Sequence, residues 1–285
     1  MAITRNKSFT DNAPLLYLVA TPIGNLEEFS NRAKKILSES DYIASEDTRN
    51  TKKLISIFDI NKPLISLHEH NEKEASQKVI SLLLEGKKVS YVSDAGYPAI
   101  SDPGQKLVEE AIKNGINVSV VSGSNAMLNA LVASGFDTSH FYFYGFLDAR
   151  KPQREKEIEE LSSRKETIIF YESPHRIMDT LKSLYLKLGN RRIVIARELT
   201  KIHEEFIRGY LKEVIQLDEK SLIGEMVLVI EGNQIIEEIS DDIIFAKVHE
   251  LMKNNPDLSK KDISKRISEE LKISKNRVYD LLIKR

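Results

Sequence analysis

With 285 residues, 41% of them hydrophobic and 30% charged, the chain has the length of two domains plus a small appendage and the composition of a globular protein rather than a disordered one. It holds no cysteine, which excludes disulfides, thiolate zinc sites, iron–sulfur clusters and a cysteine nucleophile, and fits an intracellular protein. The net charge of −1 excludes no partner, but residues 259–285 carry nine basic and four acidic side chains, about +5, leaving about −6 for the rest.

Residues 1–14 read as a flexible segment without the apolar core of an export signal, and no later run approaches 18 uninterrupted apolar residues. A cytoplasmic protein with no membrane association is therefore expected. From there the pattern alternates. Strand 15–20, helix 25–40, strand 42–45, helix 51–58, strand 64–67, helix 73–84, strand 89–93, helix 105–114, strand 118–121 and helix 125–134 follow one another, which is βαβ organisation with a largely parallel sheet. After a strand at 141–147, the charged segment 148–156 reads as a hinge to a second α/β unit. Its expected strands are 167–171, 193–197, 205–208 and 226–230, with helices at 177–188 and 211–217. Apolar positions then recur at helical spacing in 244–252, 263–271 and 278–283, with Ser259 and Ser274 as N-caps. Three short helices, the last one basic, fit a helix-turn-helix; a helical cap or dimerisation module is the alternative. The expected domains are thus 15–147, 148–234 and a helical module at 241–285.

The most informative stretch is VSYVSDAGYPAISDPG, residues 89–104. A strand ends at Ser93-Asp94, a loop with Gly96, Pro98, Pro103 and Gly104 follows, and a helix begins. Ligands of open α/β sheets bind beyond the carboxyl ends of strands, so this loop, with carboxylates Asp94 and Asp102, is a candidate binding edge. The first strand is followed by TPIGNL, where only Gly24 stands in place of a three-glycine dinucleotide fingerprint, and no Walker A motif occurs. Nicotinamide chemistry and nucleoside triphosphate hydrolysis are disfavoured.

Taken in order, ATPIGNL (20–26), SEDTRNT (45–51), SDAGYPAISDPG (93–104), SGSNA (122–126), FYGFL (143–147), YESPHRI (171–177), RELTK (197–201) and GEMVLVIEG (224–232) resemble the bacterial 16S ribosomal RNA cytidine 2'-O-methyltransferases of the tetrapyrrole methylase superfamily. The resemblance covers the chain beyond about residue 14. It departs from the wider superfamily at 21–24, where a glycine-rich stretch is replaced, and this separates the RNA-modifying branch from the porphyrin-modifying one. It implies a two-domain α/β fold of the class III methyltransferase kind with a small helix-turn-helix-like C-terminal module, S-adenosylmethionine between the α/β domains, a homodimer, and 16S rRNA or the 30S subunit as partner.

For that cofactor the expected residues are Asp94 as a polar anchor beside Ala95 and Gly96, and Gly123 and Ser124 as N–H donors at a helix start. Pro22 and Gly24 would shape the first loop, with Ile100 and Leu147 as apolar packing. For Gly123 a plain turn is the alternative. Removing the ribose proton needs an ionisable group near the cleft, for which Asp47 is the first candidate and His68 the second. Asp47 paired only with Arg49, and a surface pair of His68 and His70, are the plainer readings; no metal is expected. Arg49, Lys52, Arg176, Arg197, Lys275 and Arg277 are candidate phosphate contacts, Arg176 alternatively pairing with Glu172. Two other classes stay open: a methyltransferase acting on a small tetrapyrrole-like molecule, and a ligand-sensing helix-turn-helix regulator.

Overall fold

The computed structural model describes residues 5, 7, 14–234, 240–256, 258–271 and 273–283. Most of the 1–14 segment, together with Lys272, Lys284 and Arg285, lies outside the described residues. The chain divides into two units, Met1–Asn233 and Gln234–Arg285.

The first sheet of the larger unit is parallel throughout. Its strands are β1 (Leu15–Val19), β2 (Tyr42–Ser45), β3 (Leu64–Ser66), β4 (Val89–Val92) and β5 (Asn117–Val121), in spatial order β3-β2-β4-β1-β5. Strand β4, between β2 and β1, is buried at every position, and its VSYV run shows the unbroken burial of a strand covered on both faces. Helices α1 (Asn31–Glu39), α2 (Thr48–Ser56), α3 (Glu72–Leu84), α4 (Gln105–Lys113) and α5 (Ala126–Ser134) connect the strands. The single helix expected at 25–40 is broken. Asn25 caps a 3-10 turn over Leu26–Glu28, Ser30 caps α1 by accepting from Ala33 N–H, and Phe29 between them is drawn into the core.

The second sheet is mixed. β6 (Phe141–Phe146) runs parallel to β7 (Thr167–Glu172), while β10 (Met226–Ile230) is antiparallel to both β7 and β8 (Arg192–Arg197), and β8 to β9 (Glu205–Tyr210). Two expectations are corrected here. Residues 141–147 pair with the second sheet, not the first, so the sheet boundary falls before β6 rather than at 147. The expected hinge at 148–156 is mostly helix α6 (Lys151–Glu160). Asp148 accepts from the Arg150 N–H ahead of it, Pro152 stands in its first turn, and Ile158 is buried against α7 (Ile177–Leu188). A helix with so few apolar residues hides its buried face behind its charge. The helix expected at 211–217 is a single turn, α8 (Leu211–Val214).

Helix α5 joins the two sheets. It follows β5 of the first, yet Met127, Ala130 and Leu131 pack on Ile169, Val194, Ala196, Val227 and Val229 of the second. Five such side chains withdrawn from water are worth about 1.5–3 kcal/mol each for the large ones, enough to hold the sheets in one relation.

The smaller unit contains α9 (Asp241–Asn254), α10 (Lys260–Leu271) and α11 (Lys275–Ile283) around Ile244, Val248, Ile263, Ile267 and Val278. Ser259 caps α10, accepting from Asp262 N–H at 3.2 Å. No described helix is long and apolar enough to cross a membrane.

Candidate active site

At the carboxyl edge of the first sheet three loops are stitched together. Thr21 and Gly96 exchange backbone hydrogen bonds of 2.9 and 3.1 Å, Thr21 Oγ1 donates to the Ser93 carbonyl, and Gly123 N–H donates to the Tyr97 hydroxyl at 3.3 Å. The long loop after β4 is pinned further along. Tyr91 OH donates to the Pro103 carbonyl at 2.8 Å, as does Ala99 N–H at 3.2 Å, and Glu72 accepts from the N–H groups of Gly104 and Lys106. Burial opposes ionisation of Glu72, but these donors and the Lys106 ammonium outweigh it and hold its pKa below the usual carboxylate value. Ala99 and Ser101 have φ of 67° and 60°, a left-handed conformation costly for side-chain-bearing residues, so the loop's shape is imposed by these ties.

Between this edge and the second sheet lies a cavity of about 300 Å³. Ile23, Ala95, Gly96, Tyr97 and Ile100 line it from the first sheet. Tyr171, Leu199, Met226 and Val227 line it from the second, Phe146 from the end of β6, and Asn125 and Ala126 from the start of α5. Its acidic lining residues are Asp102, Glu172 and Glu225.

Their states differ. Glu172, with its side chain fully buried, accepts from Ser173 N–H, from Arg176 Nε and Nη2, and from Thr180 Oγ1. Glu225 is paired with Lys201 at 3.0 Å and largely exposed. Asp102 makes no hydrogen bond among the described residues; burial, followed by the negative charges of Glu46 and Asp94, pushes its pKa up to about 7. Burial and Asp94 likewise raise Glu46.

Of the nine residues expected around a cofactor, Ala95, Gly96 and Ile100 line the cavity and the others do not. Leu147 is buried in the second core, one residue beyond Phe146, which faces the cavity; adjacent side chains of an extended chain point to opposite sides. Asp94 accepts from Asp47 N–H and Asn50 Nδ2, and Ser124 Oγ donates to Glu28 Oε2 at 2.5 Å. A Cβ on Gly123 would lie 3.0 Å from Ala20 Cβ, and one on Gly24 would lie 2.6 Å from Lys201 Cγ and 3.1 Å from the Leu199 carbonyl oxygen. Both glycines let segments of the chain approach each other, Gly24 bringing the first loop onto the loop after β8. Pro22 directly follows the Thr21 bridge.

Neither proton acceptor chosen from the sequence reaches the cavity. Asp47 caps α2 and is held by Arg49, whose N–H, Nε and Nη2 all donate to it; those bonds lower its pKa to about 2, which makes it a poor base. His68 donates its backbone N–H to Asn71 Oδ1, and its buried Nδ1 has no partner among the described residues. Its ring stands edge-on to His70, with centroids 5.9 Å apart. No described group of three or more His, Asp or Glu side chains forms a metal cage.

The basic candidates are dispersed. Arg49 and Lys52 line a shallow groove beside α2 together with Lys62. Arg176 is engaged by Glu172 and the Leu147 carbonyl, and Arg197 by Glu205 and the Ile223 carbonyl, so both tie elements together. Lys275 and Arg277 belong to α11, where Arg277 pairs with Asp241 at 2.8 Å. The sequence reading missed Tyr97, Asn125, Tyr171, Ser173, Leu199, Met226 and Val227 as lining residues, although each lies inside a motif it had singled out.

Residues 15–215 match the family model for tetrapyrrole (corrin/porphyrin) methylases. A relative from Halalkalibacterium halodurans named ribosomal RNA small subunit methyltransferase I is 53% identical over 224 residues, 78% of each chain. The protein of that name from Bacillus subtilis is 44% identical over 286 aligned positions, 98% of each chain. The one from Thermotoga maritima is 45% identical over 220 residues, which are 99% of its own length but 77% of this chain. It has no room for a segment as long as the smaller unit. In fold the chain is similar to a uroporphyrin-III C-methyltransferase from Thermus thermophilus solved with S-adenosyl homocysteine, at a TM-score of 0.51 and 15% identity, over 77% of this chain and 97% of that one. With matched motifs, two sheets and a cleft between them, this chain belongs to the tetrapyrrole methylase family.

Proposed function

We propose that the protein uses S-adenosylmethionine to methylate the ribose 2'-hydroxyl of a cytidine in 16S rRNA, as a cytoplasmic homodimer. The observation that carries this reading is the cavity between the sheets. Its volume is at the lower end of small-ligand sites, its walls are mainly apolar, and a few polar groups converge on it, which suits an adenosyl group with a charged tail. Ile23, Ile100, Met226 and Val227 would form the apolar slot. The N-terminus of α5, at Asn125 and Ala126, offers a positive dipole end and unfilled backbone donors to a carboxylate. When bound, the cofactor supplies a methyl group already activated on a sulfonium. The chain's own task is then to align the hydroxyl and take its proton.

The RNA reading rests on relatives at 44–53% identity that carry a ribosomal RNA methyltransferase name, against 15% for the porphyrin enzyme. The exposed groove with Arg49, Lys52 and Lys62, next to the edge that builds the cavity, suits a phosphate backbone. The test is transfer of tritiated methyl from S-adenosylmethionine into unmodified 30S subunits or 16S rRNA, followed by nucleoside analysis. Labelled 2'-O-methylcytidine is expected. Label on a base, or only in a small tetrapyrrole, would replace this reading with another, and absence of cofactor binding would leave a ligand-sensing regulator.

A further inference from the structure

Three acidic residues line the cavity, and the carboxylates of two of them are held by other groups. Glu172 is saturated by four donors from Ser173, Arg176 and Thr180, and Glu225 is tied to Lys201 at the solvent edge. The acids just outside are also occupied: Asp47 by Arg49, Asp94 by Asp47 N–H and Asn50. Asp102 differs in each respect. It lines the cavity, makes no hydrogen bond among the described residues, and sits in a tied-down loop, between Ala99, whose N–H donates to Pro103, and Gly104, anchored on Glu72. On the reading above, we propose that Asp102 is the general base that accepts the ribose hydroxyl proton during methyl transfer.

In that step the hydroxyl oxygen forms a bond to the methyl carbon, and its proton passes to an Asp102 carboxylate oxygen. The carbon–sulfur bond breaks with its electron pair remaining on sulfur, which becomes a neutral thioether. Asp102 ends the step protonated and returns the proton to solvent. The groups acting on Asp102 are acidic or neutral: Glu46 just past β2, Tyr91 on β4, Asp94 in the loop after β4, and Tyr171 on β7. Partial burial, and after it two negative neighbours, make it a better proton acceptor than an ordinary carboxylate, with an affinity near the operating pH, where a general base is most effective. The same neighbours would repel a phosphate, so this part of the cleft suits the uncharged hydroxyl.

Two measurements on the full-length protein decide the matter. In the cofactor-free protein, carbon NMR of labelled carboxyl groups, with Asp102 assigned by its loss in Asp102→Asn, should show a titration midpoint near 7. With 16S rRNA or 30S substrate, wild-type turnover should rise with pH through about 7 and level off. Asp102→Asn, folded by circular dichroism, should lose about 100-fold or more in kcat together with that rise, while binding S-adenosylmethionine as tightly by calorimetry. A midpoint near 4, turnover within about threefold of wild type, or loss of cofactor binding in the variant would each overturn the assignment. Failure of wild-type protein to yield 2'-O-methylcytidine would instead remove the underlying reading, a separate result.

Discussion

At Asp102 the properties that favour catalysis cost stability. Its pKa is about 7 in the folded protein against an unfolded value of 3.8, so folding disfavours the ionised form. Below the unfolded value both states are protonated and there is no penalty; as pH rises towards 7 the unfolded state loses its proton first, and the penalty grows until it is complete above the folded value. One pKa unit corresponds to about 1.4 kcal/mol, but solvent over this partly exposed carboxyl screens much of the shift, leaving about 1 kcal/mol. Asp102→Asn should therefore be more stable than wild type by about 1 kcal/mol at pH 8 and equal to it near pH 3, as measured by urea denaturation at both. A gain independent of pH would show that the carboxylate is not disfavoured by folding. Asp47 shows the converse: an acid in a promising motif whose strength as a base is lost to the adjacent guanidinium.

Among the secondary-structure elements, Arg176 acts as a clamp. Standing at the start of α7, it reaches the Leu147 carbonyl beyond β6 and the Glu172 carboxylate at the end of β7, while Thr180 on α7 completes the Glu172 shell. Removing the guanidinium leaves a buried carboxylate without its cation, so Arg176→Ala should lose about 3 kcal/mol in denaturant unfolding. The salt dependence of RNA binding should stay as in wild type. If stability were unchanged and the log–log salt slope fell by about one unit, Arg176 would be a phosphate contact after all. The motif YESPHRI thus marks a junction of β6, β7 and α7 as much as a wall of the cavity.

For the molecule as a whole, the division after Asn233 separates an α/β body from a three-helix unit whose basic residues suggested RNA contact. The Thermotoga maritima relative carries the same name as longer ones, although 99% of it aligns with only 77% of this chain. Deleting residues 234–285 should therefore leave S-adenosylmethionine affinity and kcat within about twofold, while RNA binding weakens and its salt slope falls by a few units, as neutralised phosphates are lost. Loss of cofactor binding on truncation would show instead that the helices support the body. Equal RNA binding by both forms would make the unit a cap or an assembly element.

All ten strands among the described residues and most helices were legible in the sequence, because hydrophobic period, caps and Gly or Pro breaks are local properties of the chain. The ordered motifs likewise identified the family, and they contained nearly every residue that lines the cavity. What the pattern did not reveal was long-range. A strand's sheet membership depends on its partner, so β6 went to the wrong half; α6 reads as a charged linker until Ile158 has α7 to pack on. Within each motif, facing the cavity or the core depends on one residue of phase, which separates Phe146 from Leu147, and a carboxylate's use depends on neighbours brought from elsewhere. Arg49 lies two residues from Asp47 and takes up its charge; Asp102 is made basic first by burial in the folded cleft and then by Glu46, which meets it because β2 and β4 are adjacent in the sheet, and neither is present in the order of the chain.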